Sequence, residues 1–148
     1  MSVLNSTVVL LVEDDAGDQK LIKRAFENLG IPTCLYVTGS AEEALIFMDY
    51  CKQADGQSNR PNLILLDLNM PGMGGKEFLR RIKADNDLCD IPVVVLTVSD
   101  LDTDIYESYN LRAAGYIQKP AVASQLEQAI AKWAKYWFET ASLVKNSK

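Results

Sequence analysis

Three runs of apolar residues in this chain each end on side chains able to do chemistry. Val8-Val9-Leu10-Leu11-Val12 leads into Glu13-Asp14, Leu63-Ile64-Leu65-Leu66 into Asp67, and Val93-Val94-Val95-Leu96 into Thr97. A shorter segment, Gly115-Tyr116-Ile117-Gln118, ends on Lys119. Unbroken apolar runs of this length suit strands buried on both faces, as at the centre of a parallel sheet. In such sheets ligands bind at the carboxyl ends of the strands. The pattern predicts one site that gathers three carboxylates, a hydroxyl and an ammonium.

The segments between these runs read as helices. Asp15 is placed to cap a first helix, with Asp18 adding negative charge to its first turn. Leu21, Ile22, Ala25, Phe26 and Leu29 share one face of it, and Gly30 followed by Pro32 stops it. Cys34–Thr38 reads as an edge strand, and Ser40-Ala41-Glu42-Glu43 as a capping box that opens a second helix. Residues 53–61 form a polar loop, and the Gly-rich stretch Met70–Gly75 leads to a third helix carrying Phe78, Leu79 and Ile82. Residues 100–113 give a fourth helix with a weak apolar face, and the last runs from near Val122 to about Ser142. Five alternations of strand and helix call for a doubly wound α/β fold, a five-stranded parallel sheet flanked by five helices. Nothing marks a linker, so residues 1–148 read as one domain with an extended C-terminal helix and a short tail.

Bulk composition narrows the function. Twenty acidic against fifteen basic residues give a net charge of −5, which opposes binding to nucleic acid or to anionic membranes. No apolar run approaches a membrane span, and the N-terminus lacks a secretion signal, so the expected location is the cytoplasm. Three scattered cysteines and no histidine leave no zinc site and no Cys/His catalysis.

Glu13, Asp14 and Asp67 end strands expected to be neighbours, and three ionised carboxylates at one site repel unless a cation joins them. Magnesium suits a few carboxylates plus water better than the nitrogen- or thiolate-loving metals do. Thr97 and Lys119 add a hydroxyl and a positive charge able to hold phosphoryl oxygens. The set describes phosphoryl transfer to an aspartate, with Asp67 as the nucleophile. Any one of these residues alone reads more plainly as a cap or a solvated turn; four strand ends together do not.

Val12-Glu13-Asp14-Asp15, Leu65-Leu66-Asp67-Leu68-Asn69-Met70-Pro71, Val95-Leu96-Thr97 and Tyr116-Ile117-Gln118-Lys119-Pro120, in this order and spacing, resemble the receiver domain of two-component response regulators. The resemblance covers about residues 6–132 and implies a flavodoxin-like fold. It implies that Asp67 accepts the phosphoryl group and that Asp14 and Glu13 bind Mg2+, directly or through water. It also implies that Asn69 gives the metal its backbone carbonyl, and that Thr97 and Lys119 contact the phosphoryl oxygens. Thr97 and Tyr116 would be the switch pair, Thr97 turning inward and Tyr116 passing from exposed to buried; the plainer reading of Tyr116 is a half-buried strand aromatic. The Lys119–Pro120 peptide would be cis. Val98 departs from the small residue usual after the threonine, which implies slower phosphoryl loss.

The tail carries a second likeness. Ile91–Thr97, Ser108-Tyr109-Asn110-Leu111 and Trp133-Ala134-Lys135-Tyr136-Trp137-Phe138-Glu139-Thr140 resemble the small response regulators that partner cyanobacterial phytochromes. That resemblance implies a light-sensing histidine kinase as partner and a homodimer. Leu126, Ile130, Trp133 and Trp137 form one helical stripe, while Tyr136 and Phe138 fall to either side of it. Trp133, Tyr136, Trp137 and Phe138 are the candidate dimer contact, unless they fold back on the domain. The expectation is a signalling switch rather than a turnover enzyme. Two other readings stand beside it: a magnesium-dependent phosphatase with an aspartate nucleophile, for which Asn69 sits where an acid/base Asp belongs, and an adaptor that is never phosphorylated.

Overall fold

The computed structural model describes residues 6–144. Five strands, β1 (Thr7–Val12), β2 (Thr33–Thr38), β3 (Leu63–Leu66), β4 (Val93–Thr97) and β5 (Gly115–Gln118), alternate with α1 (Ala16–Glu27), α2 (Ala41–Cys51), α3 (Gly75–Ala84), α4 (Asp102–Asn110) and α5 (Ala123–Lys135). All strand pairs are parallel, in the order β2-β1-β3-β4-β5. Among the described residues no helix is long and apolar enough to cross a membrane.

The continuous apolar runs divide by alternation between two cores, because successive side chains of a strand point to opposite faces. Leu10, Val12, Ile64, Leu66, Val93 and Val95 face α2 and α3, where they meet Ala44, Met48, Phe78, Leu79 and Ile82. Val9, Leu11, Leu63, Leu65, Val94 and Leu96 face α1 and α5, meeting Ile22, Phe26, Leu126, Ile130 and Trp133.

The helix starts follow their caps. Asp15 accepts the Asp18 N–H at 2.8 Å, and Ser40 Oγ accepts the Glu43 N–H at 3.1 Å. The Glu43 carboxylate reaches back to the Gly39 N–H at 2.6 Å. Two stretches are shorter or more ordered than their sequence implies. The fourth helix keeps only 102–110, since Ser108 alone of its residues is buried and little apolar contact holds its ends. Part of the polar loop coils into a 3-10 helix, Ala54–Asn59.

The C-terminal helix is also more particular than one uniform helix to residue 142. After Lys135 it widens into a π-helical turn, Tyr136–Thr140, closed by the Ala141 N–H on the Tyr136 carbonyl at 2.8 Å. In a π-turn, residues five apart meet on one face. Phe138 therefore returns beneath Trp133, with ring centroids 6.2 Å apart, and both pack on Phe26 of α1 at 6.1 and 6.0 Å. Ordinary helical spacing would send Phe138 sideways. Trp133 is buried, and its indole Nε1 has no hydrogen-bond partner among the described residues. Beyond the turn, Asn62 clasps the tail: its Nδ2 donates to the Val144 carbonyl at 2.9 Å and its Oδ1 accepts the Val8 N–H at 2.8 Å.

The three cysteines are free; Cys51 is buried, and burial pushes its thiol up to about 11, where it is inert.

Candidate phosphoryl-acceptor site

The chain leaves β1 for the sheet edge at β2 and then crosses to β3 on its other side, so a crevice opens between the carboxyl ends of β1 and β3. Val12 and Leu66 are the last partners of that pair, and the next residues on the two strands are Glu13 and Asp67. Both are held in place by main-chain bonds: Glu13 N–H to the Thr38 carbonyl at 3.0 Å, Asp67 N–H to the Val12 carbonyl at 3.0 Å. The Lys119 N–H reaches the Thr97 carbonyl at 2.7 Å, aligning the ends of β4 and β5 in the same way.

Glu13, Asp67, Thr97 and Lys119 are all buried, while Asp14 opens to solvent. Carboxylate oxygens of Glu13, Asp14 and Asp67 lie within 4.8 Å of one another. Three hard oxygen donors this close, two of them buried, fit a divalent cation, which removes the repulsion among them. Burial pushes the Glu13 carboxyl up to about 7, even though the Lys119 ammonium beside it pulls the other way.

Lys119 closes the cluster from β5. Its Nζ donates to Glu13 Oε1 at 2.6 Å, to Asp18 Oδ2 at 2.7 Å and to Asp67 Oδ2 at 3.3 Å. Burial works against that charge, but the bonds to Asp18 and Glu13 outweigh it and hold the ammonium above the usual lysine range. The expected cis Lys119–Pro120 peptide is a correction: the described chain has no cis bond. The lysine still points inward, because strand register and three carboxylates suffice to aim it.

The loop after Asp67 reaches across to β4. Asn69 N–H donates to Asp67 Oδ1 at 3.1 Å, and Asn69 Nδ2 donates to Thr97 Oγ1 at 3.3 Å. The loop then turns through Gly74, at φ +80°, into α3. Gly75 follows, where a Cβ would lie 2.3 Å from the Asp67 carbonyl oxygen, so the start of α3 seats directly against the Asp67 backbone.

Tyr116 is half-buried, with its hydroxyl donating to the Ser99 carbonyl at 2.9 Å. Burial raises its pKa. Ser99 in turn donates to Asp104 of α4, which Lys76 of α3 also holds at 2.5 Å; a second arm of Lys76 reaches Glu107 at 2.6 Å. Val98, just past Thr97, is 61% exposed.

Glu13, Asp14, Asp67, Asn69, Thr97 and Lys119 are thus brought together, with Tyr116 one layer out. The aromatic set lies elsewhere, on α5 and its π-turn, and is divided: Trp133 is buried, Trp137 and Phe138 are half-buried, and Tyr136 is 54% exposed. Three contributors escaped the sequence reading. Asp18 reads in the sequence only as a charge at a helix start. Gln19 donates from Nε2 to the Glu13 carbonyl at 2.6 Å, and Ser99 links Tyr116 to α4; nothing in their local sequence marks them.

Known proteins carry the same framework. The profile of the response regulator receiver domain matches residues 9–131. The response regulator Rcp1 of Synechocystis sp. is 37% identical over 136 residues, covering 92% of each chain. The solved structure of the phosphorylated cyanobacterial phytochrome response regulator RcpA has a TM-score of 0.86 at 38% identity, over 93% of this chain and 98% of that one. The Mn2+-bound form of Rcp1 gives 0.84 at 36% identity, over 93% and 99%. With three converging carboxylates at β1 and β3 and a lysine closing them from β5, the chain belongs to the response regulator receiver domain family and is a phosphoryl-accepting signalling switch.

Proposed function

We propose that Asp67 accepts a phosphoryl group from the phosphohistidine of a phytochrome-type histidine kinase, and that the switched protein signals through protein contacts. The observation that carries this is the buried Asp67 carboxylate, fixed between two further carboxylates and the Lys119 ammonium. A likeness to RcpA and Rcp1 over nearly the whole chain supports the kinase class.

In the step itself an Asp67 carboxylate oxygen forms a bond to phosphorus as the phosphorus–nitrogen bond to the kinase histidine breaks, its electron pair staying on the ring. Mg2+, held by Glu13, Asp14, Asp67 and the Asn69 carbonyl, would supply neutralisation of the charge on acceptor and phosphoryl oxygens. Lys119 donates an N–H to one phosphoryl oxygen. Thr97 accepts from Asn69 through a lone pair, so its own O–H is available to turn toward another. That turn draws on the backbone of β4 and the Ser99 loop, which Tyr116 and Asp104 grip.

The protein turns over no substrate beyond its own acyl phosphate, acts in the cytoplasm, and binds neither nucleic acid nor membrane; the net charge of −5 is in keeping with this. It works as a homodimer whose contact centres on the exposed Tyr136, since Trp133, Trp137 and Phe138 all pack against the α1–α5 core. Sedimentation of a Tyr136→Ser variant as a monomer, against a wild-type dimer, checks that contact; a monomeric wild type refutes it.

The test of the reaction is intact mass after incubation with acetyl phosphate and Mg2+. The wild type gains one phosphoryl group, the Asp67→Asn variant none, and EDTA abolishes the gain. A gain in the variant would move the acceptor elsewhere. Release of inorganic phosphate from small phosphomonoesters would instead favour the phosphatase reading.

A further inference from the structure

The Lys119 ammonium has three N–H donors, and the site offers it three carboxylates from three different elements. The contacts are unequal. Glu13 and Asp18 take theirs at 2.6 and 2.7 Å, in the range of strong charge-assisted bonds, while Asp67 accepts at 3.3 Å. Asp18 stands in the first turn of α1, with its own N–H fixed by the Asp15 cap. Charge at a helix start explains why a carboxylate is tolerated there. It does not explain why that carboxylate crosses to a buried lysine just past β5.

We propose that Asp18 is a positioning residue for Lys119: together with Glu13 it anchors two of the three ammonium N–H bonds, so that the third is aimed at Asp67 and at the phosphoryl oxygen that arrives there. The inference rests on Asp67 being the acceptor. Its logic is one of unequal bonds. An ammonium free to settle on Asp67 would pair closely with the acceptor oxygen and occupy the lone pair needed for attack. Two short bonds on the α1 side hold it back, leaving a long and exchangeable third. When a phosphoryl oxygen enters, that donor passes to it without either anchor being released. Asp18 never touches phosphorus; it acts through the lysine.

The test compares Asp18→Ala with Asp18→Asn. The amide oxygen of asparagine accepts the same N–H bond without the charge, whereas alanine offers nothing. Phosphoryl uptake from acetyl phosphate and Mg2+, followed by intact mass, is expected to slow by about tenfold in Asp18→Ala and to recover most of its rate in Asp18→Asn. Thermal unfolding run alongside identifies any loss caused by a damaged fold. A general charge effect would speed uptake of the anionic donor equally in both variants and overturn the proposal, as would two unchanged rates.

A second measurement does not depend on phosphorylation. In protein labelled with 15N at lysine, an ammonium anchored on three sides exchanges slowly with water and gives a side-chain NMR signal. The Lys119 signal, assigned with Lys119→Arg, is expected in the wild type, in Asp18→Asn and in Asp67→Asn, and is expected to vanish in Asp18→Ala. Its survival in Asp18→Ala would refute the anchor even in a protein that takes up no phosphoryl group. A failure of uptake in the wild type, with the NMR pattern as expected, would count against Asp67 as acceptor and leave the anchor standing.

Discussion

The α1–α5 layer and the α4–β5 edge are built from the same kinds of element but held by different forces. On the first, Phe26, Ile22, Leu126, Ile130 and Trp133 bury an unbroken apolar contact against β1, β3 and β4. On the second, α4 buries only Ser108 and leaves Leu101, Tyr106 and Tyr109 largely exposed. What ties α4 to the domain is a polar relay: Lys76 to Asp104 and Glu107, Ser99 to Asp104, and Tyr116 to Ser99. Apolar burial has no direction and no cheap alternative, whereas exposed polar tethers contribute little each and exchange readily for water. The clustered carboxylates Glu13, Asp14 and Asp67 follow strands braced by that layer, and Lys119 stands beside the tethered edge. Under the proposed function, the half that holds the cation is packed with carbon, and the edge that answers the phosphoryl group is tied with hydrogen bonds.

Five substitutions would break or sharpen that contrast. Trp133→Ala opens a cavity in the braced layer and should lower unfolding stability in urea by about 3–5 kcal/mol; Tyr106→Ala on α4 should stay within about 0.5 kcal/mol. Similar losses in the two would erase the distinction. Tyr116→Phe removes one tether and should cost about 1 kcal/mol, with faster hydrogen exchange in α4 and none in α1.

Lys76→Met should cost roughly 0.5 kcal/mol at neutral pH, the scale of a partly exposed ion pair. Its pH dependence has a definite sign. The Lys76 bond, helped by Ser99, holds the Asp104 carboxyl below the usual aspartate range. The stabilisation is therefore complete above the ordinary aspartate pKa and is lost as pH falls through the lowered one. Wild-type and Lys76→Met stabilities, measured by urea titration, should converge in acid; a gap that persists there would assign Lys76 a packing role. Val98→Ala, the mildest change, should leave stability untouched because the side chain is exposed, yet shorten the acyl-phosphate lifetime a few-fold. An unchanged lifetime, followed by intact mass after donor removal, would mean that Val98 does not screen the site.

Most of the sheet and the carboxylate cluster were legible in the chain, because β1, β3 and β4 carry unbroken apolar runs and each run ends abruptly. Caps at Asp15 and Ser40 were equally plain, being local bonds over three residues. What escaped depends on distance or on a local change of helical pitch. Asp18 meets a lysine 101 residues away, and no spacing rule reaches that far. Phe138 joins the core only because the backbone widens at Tyr136, which ordinary helical periodicity cannot foresee. The relay through Ser99 and Lys76 consists of common polar residues whose partners exist only after folding.

The chain has two tryptophans, Trp133 and Trp137, and both lie on the last helix and its π-turn. The protein's own ultraviolet emission is therefore a gauge fitted to one side of the machine. Loosening confined to α4 would leave it dark, and cation binding at the acceptor crevice would register weakly. A change of emission on phosphorylation would carry a specific message: the disturbance begun at Asp67 has crossed the sheet and reached the indoles on the far layer.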